Sequence, residues 1–206
     1  SIPEDVDKLQ RRWFWELLQN ASDYNDEVEV IVELGHDKIV FRHNGRPFRP
    51  LDAENLIAPD SGKDDAESRS MDLIGQFGTG FISTHVLASR ITVNGILKSE
   101  EVEDLYSSFQ FDLDRSGFTD KQRLKKAISS SSLQLSDNTK EVQFVEGEFN
   151  TAFTYHIEEA LPGIGRGQAV QPGLEYVFDM LPYTLAFMPK VKKVTILNHD
   201  TSYVSY

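Results

Sequence analysis

The stretch Leu73–Phe81, LIGQFGTGF, constrains this chain more than any other. Gly75, Gly78 and Gly80 stand in a GxxGxG spacing just before FISTHVLA, whose apolar residues recur at helical intervals, so a glycine-rich turn is expected to open onto a helix N-terminus. Glycine lets the backbone approach a guest closely, and first-turn N–H groups lack intrahelical partners and carry the positive end of the helix dipole. The natural guest is an anion such as phosphate. Ordinary turns share this spacing, so the surrounding chain has to decide. A dinucleotide-binding fold places the glycines after the first strand of a βαβ unit. Here residues 1–72 come first and read as helix, hairpin and polar loop. No GKS or GKT is present either, which removes the Walker lysine.

Ahead of the glycines, Pro3, Glu4 and Asp5 suit a first helical turn, and DVDKLQRRWFWELLQNASD runs without a breaker to about Asp23. Trp13, Leu17 and Ala21 form one apolar stripe, with Glu16, Asn20 and Asp23 gathered along its edge. Two readings stand side by side: a solvated helix flank, or a site in which Asn20 holds a hard cation through its carbonyl oxygen and Glu16 takes a proton from water attacking a terminal phosphate. EVEVIVELG and KIVFRH read as a hairpin over about 27–43, and Asn44-Gly45 as a sharp turn that leaves His43 and Asn44 at a strand end. A short helix is expected over Leu51–Ile57, followed by a polar, lid-like loop, Ala58–Ser70, containing Gly62 and Lys63.

Further on, RITVNGIL predicts a strand with a bulge or turn at Asn94-Gly95, and LYSSFQFDLDR another strand. A capped helix should start near Thr119 and give way to a serine run and polar loop reaching Asn138. EVQFV and TAFTYHI predict strands, GIGRG a loop, LPYTLAFMP the end of a helix, and VKKVTILNHDTSYVSY a strand, a turn and the start of another strand. Stopping on that hairpin, the chain reads as one domain, residues 1–206, forming the N-terminal fragment of a longer multidomain protein.

The net charge of −12 argues against charge-driven binding of nucleic acid or anionic membrane by this domain. There are no cysteines, so disulfides and thiolate chemistry are excluded, and no apolar run approaches the roughly 20 residues of a membrane span. A cytoplasmic location is expected. The five histidines show no metal-binding spacing such as HExxH, and Asn20-Ala21-Ser22 matches a glycosylation sequon only by chance, lying within a helix.

ELLQNASD, HNG, SGK and IGQFGTGF, in this order and at these intervals, resemble the N, G1 and G2 boxes of the GHKL ATPases: gyrase, the ninety-kilodalton heat-shock chaperone, histidine kinases and mismatch-repair MutL. The likeness is nearest to the chaperone and sacsin-like branch and extends from Trp13 to Val93. It implies a Bergerat fold, an α/β (α+β) two-layer sandwich whose mixed, mostly antiparallel sheet carries helices on one face and an ATP lid. It also implies ATP and Mg2+ as cofactors and slow ATP hydrolysis driving lid closure and homodimerisation of the full-length protein, with no client identified. By position, Glu16 becomes the general base, Asn20 the magnesium ligand and Asp23 a supporting residue. Gly75, Gln76, Phe77, Gly78, Thr79, Gly80 and Phe81 would wrap the phosphates, and Lys63 would lie near phosphate or ribose unless it is simply a loop lysine. Asn44 and Gly45 belong to the base-binding turn, and Thr151 falls where the family hydrogen-bonds near the base, though a strand-start threonine is equally natural there.

One departure concerns the base. The family has an aspartate in the G1 box that accepts a hydrogen bond from the adenine amine; here His43 takes that place and Pro47 replaces a glycine. A neutral imidazole nitrogen is expected to accept the same bond if a second partner sets its tautomer; otherwise His43 is a strand-end histidine satisfied locally. The alternatives to an ATPase are a non-catalytic nucleotide- or protein-binding module and a histidine kinase core, the latter disfavoured because no helical hairpin carries a phosphate-accepting histidine.

Overall fold

The computed structural model describes residues 4–23, 25–58, 81, 83–117, 119–157, 170–198 and 201–205. In chain order the elements are helix α1 (Glu4–Asp23), strands β1 (Val28–Leu34) and β2 (Lys38–His43), helix α2 (Pro50–Ile57), a 3-10 turn at Thr84–Val86, strands β3 (Arg90–Lys98) and β4 (Tyr106–Asp114), helix α3 (Lys121–Asp137), strands β5 (Lys140–Val142) and β6 (Thr151–His156), helix α4 (Val170–Phe187), and strands β7 (Val191–Asn198) and β8 (Thr201–Ser205). The strands form one sheet in the order β5-β4-β3-β6-β2-β1-β7-β8. Among these neighbours β1 and β7 run parallel and the others antiparallel.

Alternation within each strand and the register between strands combine to make one face apolar. Ile196, Val32, Phe41, Phe153, Val93 and Phe111 form a single row across the sheet, and Leu34, Ile39, Tyr155, Ile91 and Leu113 form the next. The opposite face is tied by polar pairs: Arg42 to Glu33 at 2.8 Å, the Thr92 hydroxyl to Asp112 at 2.6 Å and Asn94 to Gln110 at 2.9 Å. The helices supply the second layer against the apolar face, giving the two-layer sandwich expected from the sequence. In α1 the stripe Trp13, Leu17 and Ala21 is buried as predicted, joined by Phe14 and Leu18, and Phe14 meets Phe41 edge to face at 6.3 Å.

Three local expectations are corrected. Asn94-Gly95 is neither bulge nor turn, because β3 pairs with β4 in unbroken register through both residues. Gly95 serves packing: a Cβ there would stand 2.5 Å from Cζ of Phe109, whose ring also meets Phe48 edge to face at 5.4 Å. The serine run lies inside α3, where the Ser131 and Ser132 hydroxyls donate back to the Ala127 and Ile128 carbonyls. Ser131 also donates to the Asp112 carbonyl at 2.5 Å while the Asp112 N–H donates to the Gln134 side chain at 2.7 Å, so α3 covers the edge of β4 beyond the short β5. β5 ends at Val142 rather than spanning EVQFV, and Phe144 stacks on Tyr106 at 5.0 Å.

α1 and α4 touch at Gly173, where an added Cβ would run into the indole of the fully buried Trp13. A glycine inside a helix forfeits about 1 kcal/mol of helix propensity, and close approach of the two helices is what that loss provides for. Gly173→Ala is expected to destabilise the fold by about 1–3 kcal/mol through overpacking, read as a lower urea midpoint with an unchanged m-value.

Candidate functional site

One row of the apolar face is interrupted by polar residues. Val194 and Val30 are followed across β2 and β6 by His43 and Thr151, both buried. Here a half-open cleft lies between α1, α2 and the sheet. Its walls are apolar, with Leu17 and Ala21 from α1, Leu56 from α2, Phe41 and Phe153 from the sheet, and Pro47, Phe48 and Phe81 from the connections. The atom-free space is about 520 Å3 including the part open to solvent, of which about 40 Å3 is wide enough for the centre of a water molecule. A narrow slot with aromatic walls suits a planar ring.

The turn after β2 is held against the end of α1 by Asn25. Its Nδ2 donates to the Ala21 carbonyl at 2.7 Å and its Oδ1 accepts from the Arg46 N–H at 2.6 Å. Gly45 lies so close to that amide that any Cβ would overlap it. The Gly45 N–H donates to Nδ1 of His43 at 3.1 Å. Since a backbone N–H only donates, Nδ1 must be the bare nitrogen and the ring proton sits on Nε2. Burial pushes the His43 pKa down to about 4, so the neutral ring persists at neutral pH. The expected second partner therefore exists, but it occupies the accepting nitrogen and leaves a donor, the reverse of the role anticipated for this ring.

Asn20 lines the same cleft, and its Nδ2 is buried without a hydrogen-bond partner among the described residues. One turn earlier, Glu16 points along the helix flank and accepts from Arg12 at 2.8 Å; it does not line the cleft. Asp23 is exposed and faces an adjoining polar hollow together with Asn44 and Gly45. Asn44 is engaged structurally, its side-chain Oδ1 accepting from the Glu29 N–H at 2.7 Å and its backbone N–H donating to the Glu29 carbonyl at 3.2 Å. Phe81 packs on Phe153 at 5.2 Å and its carbonyl accepts from the Thr84 hydroxyl at 2.6 Å, fixing the turn that follows. Lys63, Gly75, Gln76, Phe77, Gly78, Thr79 and Gly80 lie outside the described residues, and so do the lid-like loop beyond Ala58 and the GIGRG cluster.

The sequence reading missed Asn25 and Asp52. Asp52 lines the cleft, is 3% exposed, and accepts from the Arg49 N–H at 3.0 Å and from the Arg49 guanidinium at 2.7 and 3.1 Å. Burial would raise its pKa, but the Arg49 hydrogen bonds, with the charges of Arg49 and Arg46, outweigh that and hold it below the usual carboxylate range. Its signal in the sequence was the reciprocal cap it forms with Arg49 at the start of α2.

Among the described residues no group of three or more His, Cys, Asp or Glu side chains could cage a metal ion. Among the described residues lining the cleft, Asn20 carries a neutral amide oxygen, a donor type that hard cations take. No protein-family model matches this chain, and no curated protein matches it.

Two buried histidines set an acid limit. Burial lowers His43 from 6.5 to about 4 and, with the Arg115 charge, lowers His85 from 6.5 to about 3. The unfolded chain takes up protons in that window that the folded chain refuses, so stability is full above pH 6.5 and falls as pH drops toward 4. Urea unfolding at the two ends of the window should show the loss, about 3 kcal/mol from His43 alone, with a shallower pH dependence in His43→Gln.

Proposed function

We propose that this chain is a GHKL-type module that binds a nucleoside triphosphate with magnesium and hydrolyses it slowly. The observation that carries this reading is the unpartnered, buried Nδ2 of Asn20 in an apolar-walled cleft. Such a donor costs about 1–3 kcal/mol unless a guest supplies its acceptor. The guest has to combine a flat apolar body with acceptor atoms, as a nucleotide does. The sandwich itself, with α1 bordering the cleft, is the architecture this reading requires.

In the proposed mechanism the aromatic walls around Phe41, Phe81 and Phe153 take the base and exclude water from it. Magnesium, when carried in on the triphosphate, supplies neutralisation of phosphate charge and would take the Asn20 amide oxygen as its protein ligand. Glu16, on the same flank of α1, takes the proton from water attacking the terminal phosphate. Its ion pair with Arg12 must open or share the carboxylate first, which supports slow turnover. The same ion pair favours a second reading, a nucleotide-binding module without chemistry. In the longer protein the resemblance implies, binding would drive dimerisation.

Titration calorimetry with a nonhydrolysable triphosphate and magnesium tests the proposal. Asn20→Ala is expected to weaken binding about tenfold or more, whereas Glu16→Ala should leave it within about threefold and abolish phosphate release. Wild-type turnover should lie well below the enzyme median of about 10 per second. Binding without Glu16-dependent phosphate release establishes the non-catalytic module; absence of binding by any nucleoside triphosphate ends the proposal.

A further inference from the structure

The cleft offers its guest donors. His43 is fixed by the Gly45 N–H with its proton on Nε2, and among the described residues nothing accepts from that atom. Asn20 adds an unpartnered Nδ2. Of the side chains that could accept, Asn20 Oδ1 goes to magnesium in the proposed mechanism, and two others are already engaged: Asn25 Oδ1 by the Arg46 N–H at 2.6 Å, and the Asp52 carboxylate by Arg49, with Arg46 at 3.7 Å.

We infer that the cleft selects a base bearing a carbonyl oxygen toward His43, an oxo-purine rather than an amino-purine; this rests on the nucleotide-binding reading above. The oxygen accepts from His43 Nε2–H, whereas an exocyclic amine at the same place would set two donors against each other. The tautomer cannot switch to relieve the clash without breaking the Gly45 hydrogen bond, and Gly45 cannot withdraw, because the Asn25 bridge holds the turn against α1. Burial keeps the ring neutral, and a doubly protonated ring would still donate from Nε2.

ITP and ATP, which carry oxo beside a protonated N1 or amino beside a bare N1, provide the test. In magnesium buffer the wild-type chain should bind ITP about ten- to a hundredfold more tightly than ATP. His43→Asp, which supplies an acceptor, should reverse the order. In the free wild-type chain, nitrogen-15 NMR of the imidazole should show a bare Nδ1 and a protonated Nε2, with the Nε2 resonance shifting on addition of ITP; this readout does not depend on the variant folding. Equal binding, or an ATP preference, in a wild-type chain that does bind nucleotide overturns the inference and leaves the nucleotide reading standing. A preference for ITP that persists in folded His43→Asp, or a protonated Nδ1, overturns the assignment to His43. If neither nucleotide binds, both readings fall together.

Discussion

The structure depends on neighbouring strands alternating in the same phase. A slip of one residue between β2 and β6 would turn Phe41 away from Phe153 and carry a buried row into water. With the register kept, rows of Val, Ile and Phe build a continuous apolar surface against which α1 lays Trp13, Phe14 and Leu17. The polar exceptions then gain meaning. His43 and Thr151 lie opposite one another at the end of that surface, where strands give way to connections; His43 lines the cleft and Thr151 is buried beside it.

Most of this frame was legible in the sequence because it is local. α1 announces itself by an unbroken apolar stripe, and β1, β2, β4 and β6 by alternation, and their observed bounds agree with the reading to within a few residues. The misreadings share a cause, which is that distant partners override local preference. Asn94-Gly95 looks like a turn until Phe109 from the neighbouring strand claims the space above the glycine. The serine run looks like a loop until its hydroxyls find helix carbonyls and the edge of β4.

The candidate site was legible in part for the same reason. Asn20 and His43 could be placed on a helix flank and a strand end, and both line one cleft with Phe81. Their chemistry was less visible. Nothing in the letters says that the Gly45 N–H folds back onto Nδ1, or that Asn25 bridges a helix end and a turn, because these contacts exist only once residues 21 to 46 close on themselves. Asp52 was overlooked because an aspartate near a helix start reads as a cap, which it also is.

The parallel neighbour of β1 comes from the far end of the sequence: Val30 pairs with Val194 and Val32 with Ile196. During synthesis α1 and β1 leave the ribosome well before β7, and the edge of β1 that β7 covers stays bare until residues 191–198 have emerged. Closing so large a loop costs entropy before any contact rewards it, and such topologies fold slowly. β1, whose Val30 pairs with the cleft residue His43, thus waits long for its second neighbour, and the nascent chain is open to mispairing beside the place where its site will form.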